Sequence, residues 1–122
     1  MADPLNDIEL EIIENGEDDW VLFLHIMGII NEAKGSVLTE DEAIAEATGS
    51  ALALCAKGYA QLGRYTGPTN FVPWPETGDA LRTRLEHELK NPPPGEDHEC
   101  NLMYIMLDIL PEGQKARDEQ SR

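Results

Sequence analysis

Five side chains able to hold a metal or act as acid, base or nucleophile stand consecutively in this chain: Glu96, Asp97, His98, Glu99 and Cys100. Carboxylate, imidazole and thiolate are the ligands of zinc and the working groups of hydrolysis. Adjacent residues cannot all converge on one ion, however, and no second cluster with ligand spacing completes a set of four. The stretch therefore reads as a solvated acidic loop. Cys100 sits beside Glu99 and lacks the basic neighbours that create a reactive thiolate. His25 falls in the most apolar stretch and reads as a core histidine bonded to backbone. His87, between Glu86 and Glu88, reads as a partner in local charge pairs. There is no phosphate-binding glycine loop, dinucleotide glycine pattern or nucleophile elbow. The sequence thus assigns no catalytic residue, no metal ligand and no cofactor, and the reading is of a protein that is not an enzyme.

Charge is more informative. Residues 1–56 carry thirteen carboxylates and one base, Lys34, which accounts for −12 of a total of −15. Such a surface repels nucleic acid and anionic membrane and attracts basic partners. Eight acids and no base in the first twenty residues exceed what helix N-termini need, so a binding role is weighed beside a solubilising one.

These groups must be positioned by a chain of 122 residues, read as a single domain with residues 1–16 and 114–122 peripheral or partly flexible. Two cysteines do not make a disulfide framework. The longest apolar run, residues 20–30, is far short of the roughly 20 uninterrupted apolar residues of a membrane span. Acids stand where a signal peptide needs bases, which reads as a complete, cytoplasmic protein.

Residues 1–16 alternate like a strand, yet Asn6 with Glu9 makes a helix capping pattern and Asn15-Gly16 a stop; a short helix is the preferred expectation. Asp18 and Asp19 offer caps to a helix over residues 20–33, apolar almost all round and hence central. Thr39 with Glu42 is a capping box for a helix running to about Lys57, with Gly49 weakening its middle and Gly58 as its stop. A strand is expected over 59–65, a turn over 66–70, and a returning edge strand over 71–74. Residues 77–90 form an amphipathic helix with Leu81, Leu85 and Leu89 on one stripe. A polar loop, a buried strand over 102–107 and a short helix from Pro111 complete the pattern, with helix as the alternative for 102–107.

Helix, helix and a strand pair directly off the second helix is the order of a winged helix. Residues 55–63 (CAKGYAQLG) resemble the passage where the recognition helix of winged-helix proteins ends on glycine and the first wing strand begins. Residues 104–113 resemble their later strand running into a terminal helix, without the usual Thr cap. Residues 71–75 (FVPWP) followed by an amphipathic helix resemble small, acidic, largely uncharacterised bacterial proteins built on that plan. The resemblance covers about residues 20–117 and is structural in kind. It implies an α+β, winged-helix-like fold: helices packed with a small antiparallel sheet, a β-hairpin plus one further strand. DNA binding does not follow. Residues 40–57 read as one helix with a single base at its end, and the wing offers Arg64 alone.

The function expected on these grounds is a protein-binding module, in its concrete form an immunity- or antitoxin-like inhibitor that covers a basic, toxin-like partner such as a nuclease. The expected contact residues are Glu14, Glu17, Asp18, Asp19, Glu40, Asp41 and Glu42, with Trp74 as an anchor. The rings of Tyr59, Tyr65, Phe71 and Trp74 are read as either core or interface. The alternative is a divergent winged-helix transcriptional regulator using Arg64, Arg82 and Arg84 on DNA. A homodimer through the hairpin edge or the terminal helix is compatible with either.

Overall fold

A computed structural model describes residues 5–17, 19–67, 70–95 and 97–120. The order is α1 (Asp7–Asn15), β1 (Val21–Leu22), α2 (Phe23–Ala33), α3 (Glu40–Ala56), β2 (Ala60–Gly67), β3 (Asn70–Pro73), α4 (Gly78–Lys90), α5 (His98–Tyr104), β4 (Ile105–Ile109) and α6 (Pro111–Gln120). The chain is α+β, with a four-stranded antiparallel sheet in the order β1-β4-β2-β3. Beyond the expected hairpin and further strand, two-residue β1 extends the sheet past β4.

Local signals set most helix starts. Asn6 Oδ1 accepts from Glu9 N while Glu9 Oε1 accepts from Asn6 N, so both expected halves of the α1 capping box are present. Thr39 and Glu42 do the same for α3. That reciprocal bond, with the Thr39 backbone N–H donating at 2.9 Å, holds the Glu42 carboxyl below the ordinary carboxylate range. α3 is one unbroken helix through Gly49, whose flank is open space. It buries Ala43, Ala47, Thr48, Ala51 and Leu54. α4 buries Leu81, Leu85 and Leu89, the stripe that the sequence predicts. Pro73 ends β3 at the free edge of the sheet, where the missing N–H breaks no ladder.

Several expectations need correction. The segment from residue 20 is not helical at its start: Val21 and Leu22 pair with Leu107 and Met106 of β4, and α2 begins at Phe23 without a side-chain cap. Asp19 Oδ1 instead accepts from the next residue's N–H, and Asp18 lies outside the described residues. His25 is exposed, sharing the solvent-facing stripe of α2 with Gly28 and Glu32. The polar loop and the strand expected at 102 are a helix followed by a later strand. Asp97 caps α5 by accepting from Cys100 N at 2.8 Å, which also keeps the Asp97 carboxyl below the usual range.

Within the described residues, α1 and α6 pack on each other and on the rest of the fold. Ile12 and Ile13 of α1 are fully buried. The Gln120 side chain accepts from Leu5 N at 2.8 Å and donates to Leu5 O at 2.7 Å, clamping α6 to the start of α1. Glu9, 2% exposed, meets Lys57 Nζ at 2.9 Å, which ties α1 to the C-terminal end of α3.

Strand alternation divides the sheet into two faces. Val21, Ala60, Leu62, Ile105, Leu107 and Ile109 join the core beneath α2, α3 and α4, with Phe23, Ile26, Ile30, Leu54 and Leu85. Leu22, Gln61, Gly63, Tyr65, Phe71, Met106 and Asp108 fall on the opposite face and lie outside that core cluster, and Tyr104 at the end of α5 stacks on Tyr65 there.

Candidate functional site

Three features of the surface can recognise a partner: the acids, a groove beside α4, and the rings on the open face of the sheet. Of the thirteen acids in residues 1–56, ten are exposed, Glu9 is buried, and Asp3 and Asp18 lie outside the described residues.

The predicted contact acids fall into two groups. Glu14 and Glu17 stand at the end of α1 and both face Arg117 of α6, at 3.5 and 3.7 Å, with Asp19 close by in sequence. Arg117 also faces Asp118 at 3.7 Å, so one guanidinium is shared by three carboxylates and the locality stays negative. Glu40, Asp41 and Glu42 form the first turn of α3. His98 Nε2 lies 3.0 Å from Glu40 Oε1, bringing Asp97 and Glu99 beside them. Because Lys57 at the far end of α3 anchors α1, the second group stands a helix length, about 25 Å, from that anchor. The sequence does not reveal this separation.

Trp74 is not a projecting anchor: it is 8% exposed and packs in the core. The Arg84 guanidinium covers its ring at 5.0 Å. Arg84 in turn bonds Glu88 through Nε and Glu76 through Nη1, both at 3.1 Å. Arg64 reaches Glu88 at 3.2 Å and donates to Asn101 Oδ1, while Asn101 Nδ2 donates to Glu88 O at 2.7 Å. This network joins β2, α4 and α5 and explains why Asn101 is fully buried. It also binds Arg64 and Arg84 to carboxylates, leaving them poorly placed to meet phosphate.

A groove of about 810 Å³ runs between α3, β2 and the start of α4. Leu52, Leu62, Trp74 and Leu81 line it, with Glu76, Asp79 and Arg82 also on its wall. Cys55 faces it too, and burial pushes its thiol up to about 12, offset only in part by a backbone hydrogen bond with Leu62. Such a thiol is a weak nucleophile at neutral pH. Neither Cys55 nor Cys100 is in a disulfide. Among the described residues no group of three or more His, Cys, Asp or Glu side chains is arranged to hold a metal. None of the helices there is long and apolar enough to cross a membrane. Glu96, the first of the acidic stretch, lies outside the described residues.

The rings left open between core and interface divide. Tyr59 and Trp74 are buried. Tyr65 and Phe71 are half-buried on the open face of the sheet, where two further rings join them. Trp20 packs on Phe71 and Tyr65 at centroid distances of 5.6 and 5.9 Å, and Tyr104 stacks on Tyr65 at 6.3 Å. The sequence pattern puts Trp20 on a helix and Tyr104 in a strand preceding a helix, whereas Trp20 precedes β1 and Tyr104 ends α5, and no local signal groups either with the hairpin.

The chain matches no protein-family model, and comparison with curated proteins and with solved structures finds no match.

Proposed function

We propose that this chain is a non-enzymatic protein-binding module that engages a basic partner through its acidic N-terminal half, in the manner of an immunity protein or antitoxin covering a nuclease toxin. The observation that carries this reading is the exposure of ten of the thirteen carboxylates in residues 1–56, where the sequence has one base. Charge of one sign raises the encounter rate with a basic surface, and packed contacts set the residence time. The winged-helix-like plan belongs to the same proposal, since α2, α3 and the β2–β3 hairpin follow one another in the order it needs. A cytoplasmic location goes with it as well, because the two unbridged cysteines suit a reducing compartment. The DNA-binding alternative gains nothing from the arginines, two of which are held by Glu76 and Glu88.

The separation of the acids dictates the test. Two double variants, Glu14→Lys with Glu17→Lys and Glu40→Lys with Asp41→Lys, are each used to capture partners from native lysate at low and high salt. One of them should lose a salt-sensitive basic protein that the unaltered chain retains. Undiminished capture by both would overturn the proposal.

A further inference from the structure

We infer that the open face of the sheet is a docking surface for an arginine-bearing segment of a basic protein, with Trp20, Tyr65, Phe71 and Tyr104 as its platform. The inference rests on the acidic-module reading and names the surface and the side chain that the module would recognise.

Alternation puts Leu22, Tyr65, Phe71 and Met106 on the face that turns away from α2 and α3, and the ring contacts place Trp20 and Tyr104, the last residue of α5, with them. None of these six belongs to the core cluster, and none is among the partly buried residues packed against it. Met106 is buried at 9% exposure and the other five are half-buried, and together they form a second apolar patch on the side of the sheet remote from α2, α3 and α4. The platform is built tightly. A Cβ at Gly63 would meet the Val72 carbonyl oxygen and stand 2.6 Å from the Phe71 ring, so Phe71 lies across bare backbone at that position. Glycine there leaves room for the ring.

Charge selects the occupant. Among the outward-facing strand residues the charged one is Asp108, held by Gln61 Nε2 at 3.1 Å, and Asp19 is bonded to the N–H of Trp20. Rings beside carboxylates suit a guanidinium, which is planar, weakly hydrated, stacks on aromatic faces and forks onto carboxylate oxygens. The chain contains this arrangement internally, where Arg84 covers Trp74 while Glu76 and Glu88 grip it. Nucleic-acid bases also stack on rings, but their phosphates are repelled by a chain of charge −15. A second copy would bring the same charge against itself.

The test is a titration of the nitrogen-15-labelled full chain with nona-arginine and nona-lysine peptides at physiological salt, read by NMR. The Trp20 indole and Gly63 amide signals should shift while the Trp74 indole does not. Nona-arginine should bind about threefold or more tightly than nona-lysine. Tyr65→Ala should weaken nona-arginine about tenfold, whereas Glu40→Lys with Asp41→Lys should cost less than that. Tyr65→Leu keeps the apolar bulk and removes the phenol ring, and should show the same loss if Tyr65→Ala does not fold. Equal affinity for both peptides, with shifts confined to Glu14, Glu17, Glu40 and Asp41, would overturn the docking surface and leave the acidic-module reading standing. No binding of either peptide would overturn both. Dimerisation without peptide, with the Trp20 signal changing as dimer forms, would give the face to a second copy and equally overturn the inference.

Discussion

The two faces of the sheet are made by the same four strands and differ in almost every physical respect. The helix side buries Leu62 at 2% exposure and Val21, Ile105 and Leu107 completely. It is aliphatic, covered by helices except at the β3 edge where Val72 stays 48% exposed, and its one arginine, Arg64, is bonded to Glu88 and Asn101. The other side is aromatic, its rings half-buried and its single strand charge an aspartate. Aliphatic side chains covered by helices stabilise a fold, whereas rings left partly wet offer area and a quadrupole to something else. Stability and recognition are therefore carried by alternate residues of one strand, and a substitution at one position of β2 should not do what its neighbour does.

The largest expected contrast comes from Leu107→Ala on the helix side. Deleting a fully buried leucine should lower unfolding free energy by about 3 kcal/mol, measured by urea denaturation. A loss below that of Tyr65→Ala would break the comparison. Gly63→Val comes next, at about 2 kcal/mol, because the new side chain must push aside both the Phe71 ring and the β3 backbone. Phe71→Ala in the same background should recover part of that loss, since it removes one of the two obstacles. If the double variant is no better than the single, the close approach is not what restricts position 63. Tyr65→Ala should cost only about 1 kcal/mol, the scale of its ring pairs with Trp20 and Tyr104. A loss as large as that of Leu107→Ala would mean that the open face is a second core.

The smallest expected effect lies away from the sheet and sharpens the contrast by exclusion. Glu42 has its carboxyl lowered by the Thr39 bond, so its contribution is present above the unfolded value of about 4.3 and is lost as pH falls through the lower folded value. Glu42→Gln should remove that part of the acid dependence of the melting temperature and lower the neutral-pH nona-arginine affinity far less than Tyr65→Ala does. A loss as large as that of Tyr65→Ala would show that the start of α3, rather than the open face, is the contact.

Where the local signal was complete, the sequence was legible. The Asn6/Glu9 and Thr39/Glu42 boxes, the Leu81-Leu85-Leu89 stripe and the proline-ended edge strand are all decided within a few residues, and each is found where the pattern put it. Residues 98–104 are read first as a loop and strand, with helix the alternative from 102; beyond the local Asp97 cap, that helix is held by distant groups. Asn101 is buried there only because Arg64 and Glu88 supply its partners, and no local pattern announces a polar residue inside a core. Trp74 failed as an anchor for the same kind of reason: Arg84, ten residues later, covers it.

The sequence by itself determined the charge of this protein, the caps that start α1 and α3, the apolar stripes, and the α+β class, because those depend on composition and on neighbours within a turn or a strand. Only the tertiary structure decided which rings are core and which are surface, and that Glu14 and Glu17 gather at Arg117 while Glu40 lies against His98. It also decided that β4 enters between β1 and β2. Those outcomes depend on the register between strands far apart in sequence and on which helix covers which face, and neither is encoded in a local window.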